Sequence, residues 1–180
     1  MHAKGIVLKI GGSLIDVSKP VLSQISENIP VLIIPGGGPF ADFVREAEKD
    51  DNTSHWNAIL AMDRFGRYLS TFGFRVTKKL SFDDGISIFL PYKILKERDP
   101  LPHSWEVTSD SIAAWAASEL NAPLILVKSV SADYSETLSA SGVIDEFIFS
   151  FAEKKGVDVR IANGRVNGEI AFAIEQATRL

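Results

Sequence analysis

Five residues near the start of the chain, Lys9-Ile10-Gly11-Gly12-Ser13, have the types and the order of an anion site. They close a short apolar run, Gly5-Ile6-Val7-Leu8-Lys9-Ile10, rich in Val and Ile and bounded by turn residues. Such a run predicts a buried strand of a parallel sheet. A lysine inside it needs a reason, because burying an unpaired ammonium costs several kcal/mol. An anion waiting at the strand's end supplies one. Gly11 and Gly12 place no Cβ between their backbone N–H groups and that anion. Ser13 can cap a following helix, whose N-terminus also favours negative charge. The plainer alternative has Lys9 snorkelling out at a strand end, with the glycines making an ordinary strand-to-helix turn.

The same device recurs. Val31-Leu32-Ile33-Ile34 reads as a second buried strand and ends in Pro35-Gly36-Gly37-Gly38-Pro39. In a parallel sheet both glycine loops lie at the carboxyl edge, where ligands bind. A third apolar run, Leu124-Ile125-Leu126-Val127, also ends in a lysine, Lys128. Asp110 stands in Val107-Thr108-Ser109-Asp110, ahead of a helical pattern, with Thr108 or Ser109 as its cap. Taken by itself, Asp110 is an ordinary first-turn acid that favours the helix dipole.

The elements that must position these residues follow from periodicity. Strands are expected over 5–10, 31–34, 86–90, 124–128 and 157–161, with a short one inside 74–80. Helices are expected over 18–28, 40–49, 54–72 with Ser54 as N-cap, 91–98, 109–120, 143–155 and 167–178. Residues 49–53 and 129–141 read as polar loops. Strands alternating with helices predict a three-layer αβα sandwich around a mainly parallel sheet. The stripe Trp56, Ile59, Leu60, Met62, Phe65 and Leu69 fits either the core or a homodimer interface.

The chain has 180 residues, which fits one domain spanning 1–180. Its formal net charge is −4, with no basic stripe, so nucleic acid is not an expected partner. It contains no cysteine, which excludes disulfides, thiolate metal sites and a cysteine nucleophile. No apolar run reaches the length of a membrane span. Met1-His2-Ala3-Lys4 leads straight into the first strand, so no signal peptide is expected and a cytoplasmic location is. No His/Asp/Glu spacing suggests a metal held by the protein.

Two common nucleotide motifs fit badly. A Walker loop places its lysine after the glycines, and no match occurs. Gly36, Gly38 and Ala41 fit G-x-G-x-x-A, which would suit a dinucleotide-dependent oxidoreductase. The acidic residue that should end the next strand would instead fall near the helix beginning at Ser54.

As a set, Lys9-x-Gly-Gly-Ser, Pro35-Gly-Gly-Gly-Pro39, Val107-Thr-Ser-Asp110 and Leu124-x-x-x-Lys128 resembles the amino acid kinase family, and the resemblance runs to Ile161-Ala-Asn-Gly164. Pro35 to Asp42, His55 to Asp63 and Trp105 to Trp115 look most similar to one branch, the archaeal-type kinases of a furanmethyl phosphate in methanofuran biosynthesis. The resemblance implies ATP as phosphoryl donor, with Mg2+ held mainly by its phosphates, and a homodimer. It implies that Lys9 bridges the phosphoryl group in transit. Gly11 and Gly12 with Ser13, and Gly36, Gly37 and Gly38, would cradle that group from two sides. Asp110 would orient the catalytic lysines, with Lys128 standing in for a second lysine that has no clean match. Ser129, Asp133, Tyr134, Asn163 and Gly164 would bind the nucleotide, although Lys128-Ser-Val-Ser-Ala-Asp133-Tyr134 keeps only part of the family's Asp-Val-Asp-Gly turn.

Acceptor binding is assigned to His55, Arg64 and Trp105, with Arg67 and His103 nearby. Arg64 and Arg67 also suit a solvated helix face, His55 a cap, and Trp105 the core. The resulting expectation is transfer of the γ-phosphoryl of ATP to a small anionic acceptor, a phosphate monoester such as an aminomethylfuran-methyl phosphate. A carboxylate kinase is one alternative. Another is a non-catalytic nucleotide- or phosphate-binding sensor subunit, suggested by the altered turn and by the end of the chain at Leu180 without the Gly-Thr strand ending of many family members.

Overall fold

A computed structural model of the protein describes residues 5–42, 50–103, 107–131 and 146–179. Among these, six strands form one sheet: β1 (Ile6–Ile10), β2 (Val31–Pro35), β3 (Arg75–Thr77), β4 (Ile86–Phe89), β5 (Leu124–Lys128) and β6 (Val159–Asn163). Their order is β3-β4-β2-β1-β5-β6, and every pairing is parallel. From β1 the chain adds β2, passes to the edge at β3 and fills β4 in between, then crosses back to add β5 and β6 on the other side of β1. That reversal opens a crevice at the carboxyl end of β1, the general ligand position in such sheets.

Among the described residues the sheet is accompanied by helices α1 (Ser18–Leu22), α2 (Asp51–Ser70), α3 (Tyr92–Arg98), α4 (Ser109–Leu120), α5 (Glu146–Lys155) and α6 (Glu169–Thr178). Strand alternation sorts the core into two halves. Val7, Leu32, Leu124 and Leu126 pack with Ile112, Ala113, Ala116 and Ile148 on the face covered by α4 and α5. Ile6, Leu8, Ile10, Ile33, Ile125 and Val127 pack with Leu14, Val21, Ile170 and Ile174 on the other face. Lys9 shares parity with Val7, and Lys128 with Leu126, so both lysines belong to the α4 face. Residues 110–117 of α4 are all buried. Its alanines let the helix lie close over β1, as a helix apolar all round must.

Three expectations shift. The helix expected over 18–28 is a 3-10 segment, Gly12–Val17, followed by α1, which stops at Leu22. Ser23 Oγ donates to Pro20 O and Ser26 Oγ accepts from Asn28 N–H, so side chains compete with the helical ladder. Asp50, not Ser54, caps α2: its carboxylate accepts from Thr53 N–H at 2.8 Å, and residues 51–53 join the helix. β6 begins at Val159, because Val157 N–H turns back to Ala152 O and closes α5. Trp56, Ile59, Met62, Phe65 and Leu69 are buried within the chain itself. Residues 39–42 are helical. The rest of the helix expected to 49, the loop from 132 and the first residues of the helix expected at 143 lie outside the described residues. No helix among the described residues is long and apolar enough to cross a membrane.

Candidate active site

Three charged side chains meet where β1, β5 and the start of α4 converge. Lys9 Nζ lies 2.7 Å from Oδ1 of Asp110, an ion pair without aligned hydrogen-bond geometry. Lys128 Nζ donates to Oδ2 of Asp110 at 2.5 Å. Thr108 caps α4 by accepting from Asp110 N–H, which fixes the first turn. Lys9 and Asp110 are 5% and 3% exposed, so neither charge is solvated from outside. Burial pushes the Asp110 carboxyl up, but Lys9 and Lys128 outweigh it and hold it below the ordinary carboxylate range. The site thus brings two ammonium groups to one carboxylate, with Lys9 buried and the Lys128 side chain 13% exposed. An anion completes such an arrangement.

The two glycine loops interlock beside this cluster. A Cβ on Gly12 would stand 2.2 Å from Gly38 Cα and 2.3 Å from Gly38 N, and one on Gly36 would stand 2.9 Å from Gly12 N. Gly38 has φ +58°, a backbone state that glycine adopts freely. Gly11 and Gly36 differ from the expected role. Gly11 N–H donates to Val127 O at 3.0 Å and Gly36 N–H to Ile10 O at 2.8 Å. Both extend the sheet ladder past the strand ends, so their N–H groups are already engaged. Gly12 opens the 3-10 segment, where the first N–H groups have no intrahelical acceptor. Gly11 holds the N-cap position of that segment, and no side chain caps it. Ser13 is therefore not the cap; its Oγ donates to Ser129 Oγ at 3.3 Å across the crevice.

Ser129, Asn163 and Gly164 gather on the β5–β6 side of the crevice. Gly164 N–H donates to Lys128 O at 2.8 Å. Its lack of a side chain serves packing: a Cβ there would stand 2.8 Å from Leu14 Cδ1 and 2.9 Å from Val127 Cγ1. Asn163 donates through Nδ2 to Ser131 Oγ at 3.0 Å, and its N–H donates to Glu169 Oε2 at 2.7 Å. Glu169, absent from the sequence reading, thus ties the end of β6 to the segment after Lys128. A cleft of about 540 Å³ lies alongside, lined by Ser131, Arg160, Ile161, Glu169, Phe172 and Gln176 among others. Phe172 is 62% exposed at this cleft.

Of the residues assigned to the acceptor, His55 and Arg64 both lie on α2. His55 stacks on His103 with ring centroids 4.3 Å apart and meets Trp56 edge-on at 5.0 Å. His103 holds Asn52 Oδ1 and Asp99 Oδ1 at 2.7 Å from its two ring nitrogens. Burial, then the neighbouring His103, lowers the His55 pKa to about 4, so its ring is neutral at pH 7. Arg64 and Arg67 are exposed on α2. Asp63, one position away, accepts from Tyr92 N–H and fastens α2 to the start of α3. Trp105, Asp133 and Tyr134 lie outside the described residues. Among the described residues no group of three His, Cys, Asp or Glu side chains is placed to hold a metal ion.

No protein-family model matches the chain. It is 34% identical over 137 residues to the [5-(aminomethyl)furan-3-yl]methyl phosphate kinase of Methanocaldococcus jannaschii, with 67% of this chain and 63% of that protein covered. The chain thus spans about 63% of the length of the curated relative it matches. The crystal structure of uridylate kinase from Archaeoglobus fulgidus superposes with a TM-score of 0.68 at 18% identity, covering 97% of each chain.

Proposed function

The chain has the amino acid kinase fold, and from that premise we propose that it is an ATP-dependent kinase for a small anionic acceptor, a phosphate monoester of the aminomethylfuran type. The observation that carries this reading is the Lys9–Asp110–Lys128 cluster, two ammonium groups on one buried carboxylate, beside two interlocked glycine loops. Phosphoryl transfer asks for position and charge neutralisation more than for a covalent group. In this reading Lys9 meets the phosphoryl group in transit, Lys128 neutralises the nucleotide phosphates, and Asp110 holds both ammonium groups in place. Gly12 and the second loop flank the group with backbone N–H donors. An acceptor oxygen forms a bond to the γ-phosphorus as the bond to the ADP oxygen breaks, and the electron pair leaves with ADP.

A phosphate or carboxylate acceptor suits the donor set. Asp110 is the sole buried carboxylate among the described residues, and two ammonium groups engage it. It is no free base. An acceptor oxygen that is already ionised needs none. The same donor set fits Mg2+ carried on the nucleotide's own phosphates, where it would offset their charge. The substrate in the relative's name favours the aminomethylfuran phosphate over a carboxylate. The reading also includes a cytoplasmic homodimer, as the family resemblance implies; sedimentation velocity tests the dimer.

The deciding experiment is ADP release from Mg-ATP across a panel of phosphate monoesters and carboxylates, with Lys9→Ala beside the wild type. Turnover that needs a phosphate monoester and collapses in the variant supports the proposal. Nucleotide binding without turnover on any acceptor would favour a binding subunit instead.

A further inference from the structure

The turn after β6 is fastened to the first glycine loop by a side-chain clasp. Arg165 donates through Nη1 to Oδ2 of Asp16 at 2.9 Å, and through Nη2 to Oδ1 of Asp16 at 2.9 Å. Nη2 also donates to the carbonyl oxygen of Ser13 at 3.0 Å. Ser13 and Asp16 belong to the 3-10 segment that opens at Gly12. Arg165 stands two residues beyond Asn163, which pairs in register with Lys128. Two further contacts fasten the turn to the residues that follow β1. Gly168 N–H donates to Gln24 Oε1 at 2.8 Å, and Leu14 packs against Gly164 with no room for a Cβ.

The hydrogen bond from Arg165 holds the Asp16 carboxyl below its usual range, and Asp16 raises the guanidinium in return. Both groups stay charged across the neutral range. An exposed ion pair adds little to stability. A planar fork that also grips a backbone carbonyl does something else: it sets the direction of the segment it grips. Here that segment carries the N–H groups at its opening, Gly12 and Ser13, next to Lys9.

We propose that Arg165 and Asp16 are a positioning pair that aims the first glycine loop at the terminal phosphoryl group of the bound nucleotide. Neither touches the reacting atoms. The proposal rests on the kinase reading above. It distinguishes the two nucleotides of the reaction, because only ATP carries the group that the loop would meet.

Binding of Mg-ATP and of Mg-ADP is measured by calorimetry for the wild type, Arg165→Ala, Asp16→Ala and Arg165→Lys, with thermal unfolding as the fold check. The alanine variants are expected to lose about 5- to 20-fold in affinity for Mg-ATP, while Mg-ADP stays within about twofold. Arg165→Lys, which keeps the charge but not the fork, should recover less than half of that loss. Turnover, where present, should fall with the Mg-ATP affinity while the acceptor KM holds. Affinities for ATP and ADP that fall together, or that both stay put, overturn the clasp and leave the kinase reading intact. A wild type that binds no Mg-ATP overturns the kinase reading and the clasp with it.

Discussion

The ammonium of Lys128 lies 2.5 Å from Oδ2 of Asp110, on a helix that begins 19 residues earlier at Ser109. Lys9 approaches the other oxygen of the same carboxylate. One buried acid thus holds two cations that would otherwise repel each other. β1 and β5 are adjacent and parallel, so their two lysines arrive at the same edge, and α4 brings the acid down between them.

Replacing Asp110 by Asn should remove the carboxylate that pairs with the buried Lys9 ammonium and with Lys128. Breaking a buried pair in this way costs about 3–5 kcal/mol. Urea unfolding of Asp110→Asn at neutral pH should show that loss, and inorganic phosphate should restore more stability to the variant than to the wild type. The pH dependence has a definite sign. The folded carboxyl lies below its ordinary 3.8, so the pairing stabilises fully above that value. That stabilisation is lost as pH falls through the depressed folded value. The gap between the two proteins should therefore close in acid.

Gly12→Ala tests the interlock. The new methyl must displace the second loop, since it would fall 2.2 Å from Gly38 Cα, which is backbone and cannot rotate away. Overpacking of this kind costs about 1–3 kcal/mol. Chemical denaturation should report that loss, and ADP release should fall by more than about tenfold because the cradle is misplaced. A variant with wild-type stability would mean that the loops do not share this space.

His55 should titrate near 4, well below its ordinary 6.5, when its C2 proton is followed by NMR. Burial and the stacked His103 are the causes, against the opposing pull of Asp99. Between those two values the unfolded chain binds a proton that the folded chain does not. Stability should therefore fall as pH drops from 6.5 toward 4. His55→Gln should flatten that slope. The same neutrality means that at pH 7 His55 could give an acceptor phosphate a hydrogen bond but not a full charge.

Much of the sheet and both lysines of the site could be read from the sequence, for one reason. Short Val/Ile/Leu runs that stop at glycine or lysine announce parallel strands and also say which edge their ends share. Lys9 and Lys128 stand out on that logic, whereas Asp110 by itself reads as an ordinary first-turn acid and gains a role only from the resemblance of the whole set. The N–H groups of Gly11 and Gly36 were not legible, because their engagement depends on the ladder continuing one residue past each strand. Asp50 displaced Ser54 as a cap since either side chain can serve, and local preference does not choose between them. Arg165 and Asp16 are exposed charges 149 residues apart, with no periodicity to link them. Only the packing of the 3-10 segment against the turn after β6 brings them together.

The two lysines should separate kinetically. Lys9 lies within β1, 5% exposed, and its neighbours in the strand are apolar. On the kinase reading, its alanine variant removes a charge directed at the centre of transfer. Removing one such stabilising group costs about 10²- to 10³-fold in kcat, and kcat/KM should fall in parallel. Lys128 stands at the end of β5, its side chain 13% exposed, beside Ser129 and the turn at Gly164. If it neutralises the bound nucleotide in both ground and transition states, Lys128→Ala should raise KM for Mg-ATP more than it lowers kcat. Steady-state kinetics of the two variants under saturating acceptor decide the matter. Matched losses confined to kcat in both would place both ammonium groups on the phosphoryl group in transit. An unchanged Lys128→Ala would reduce that lysine to a partner that holds Asp110 in position for Lys9.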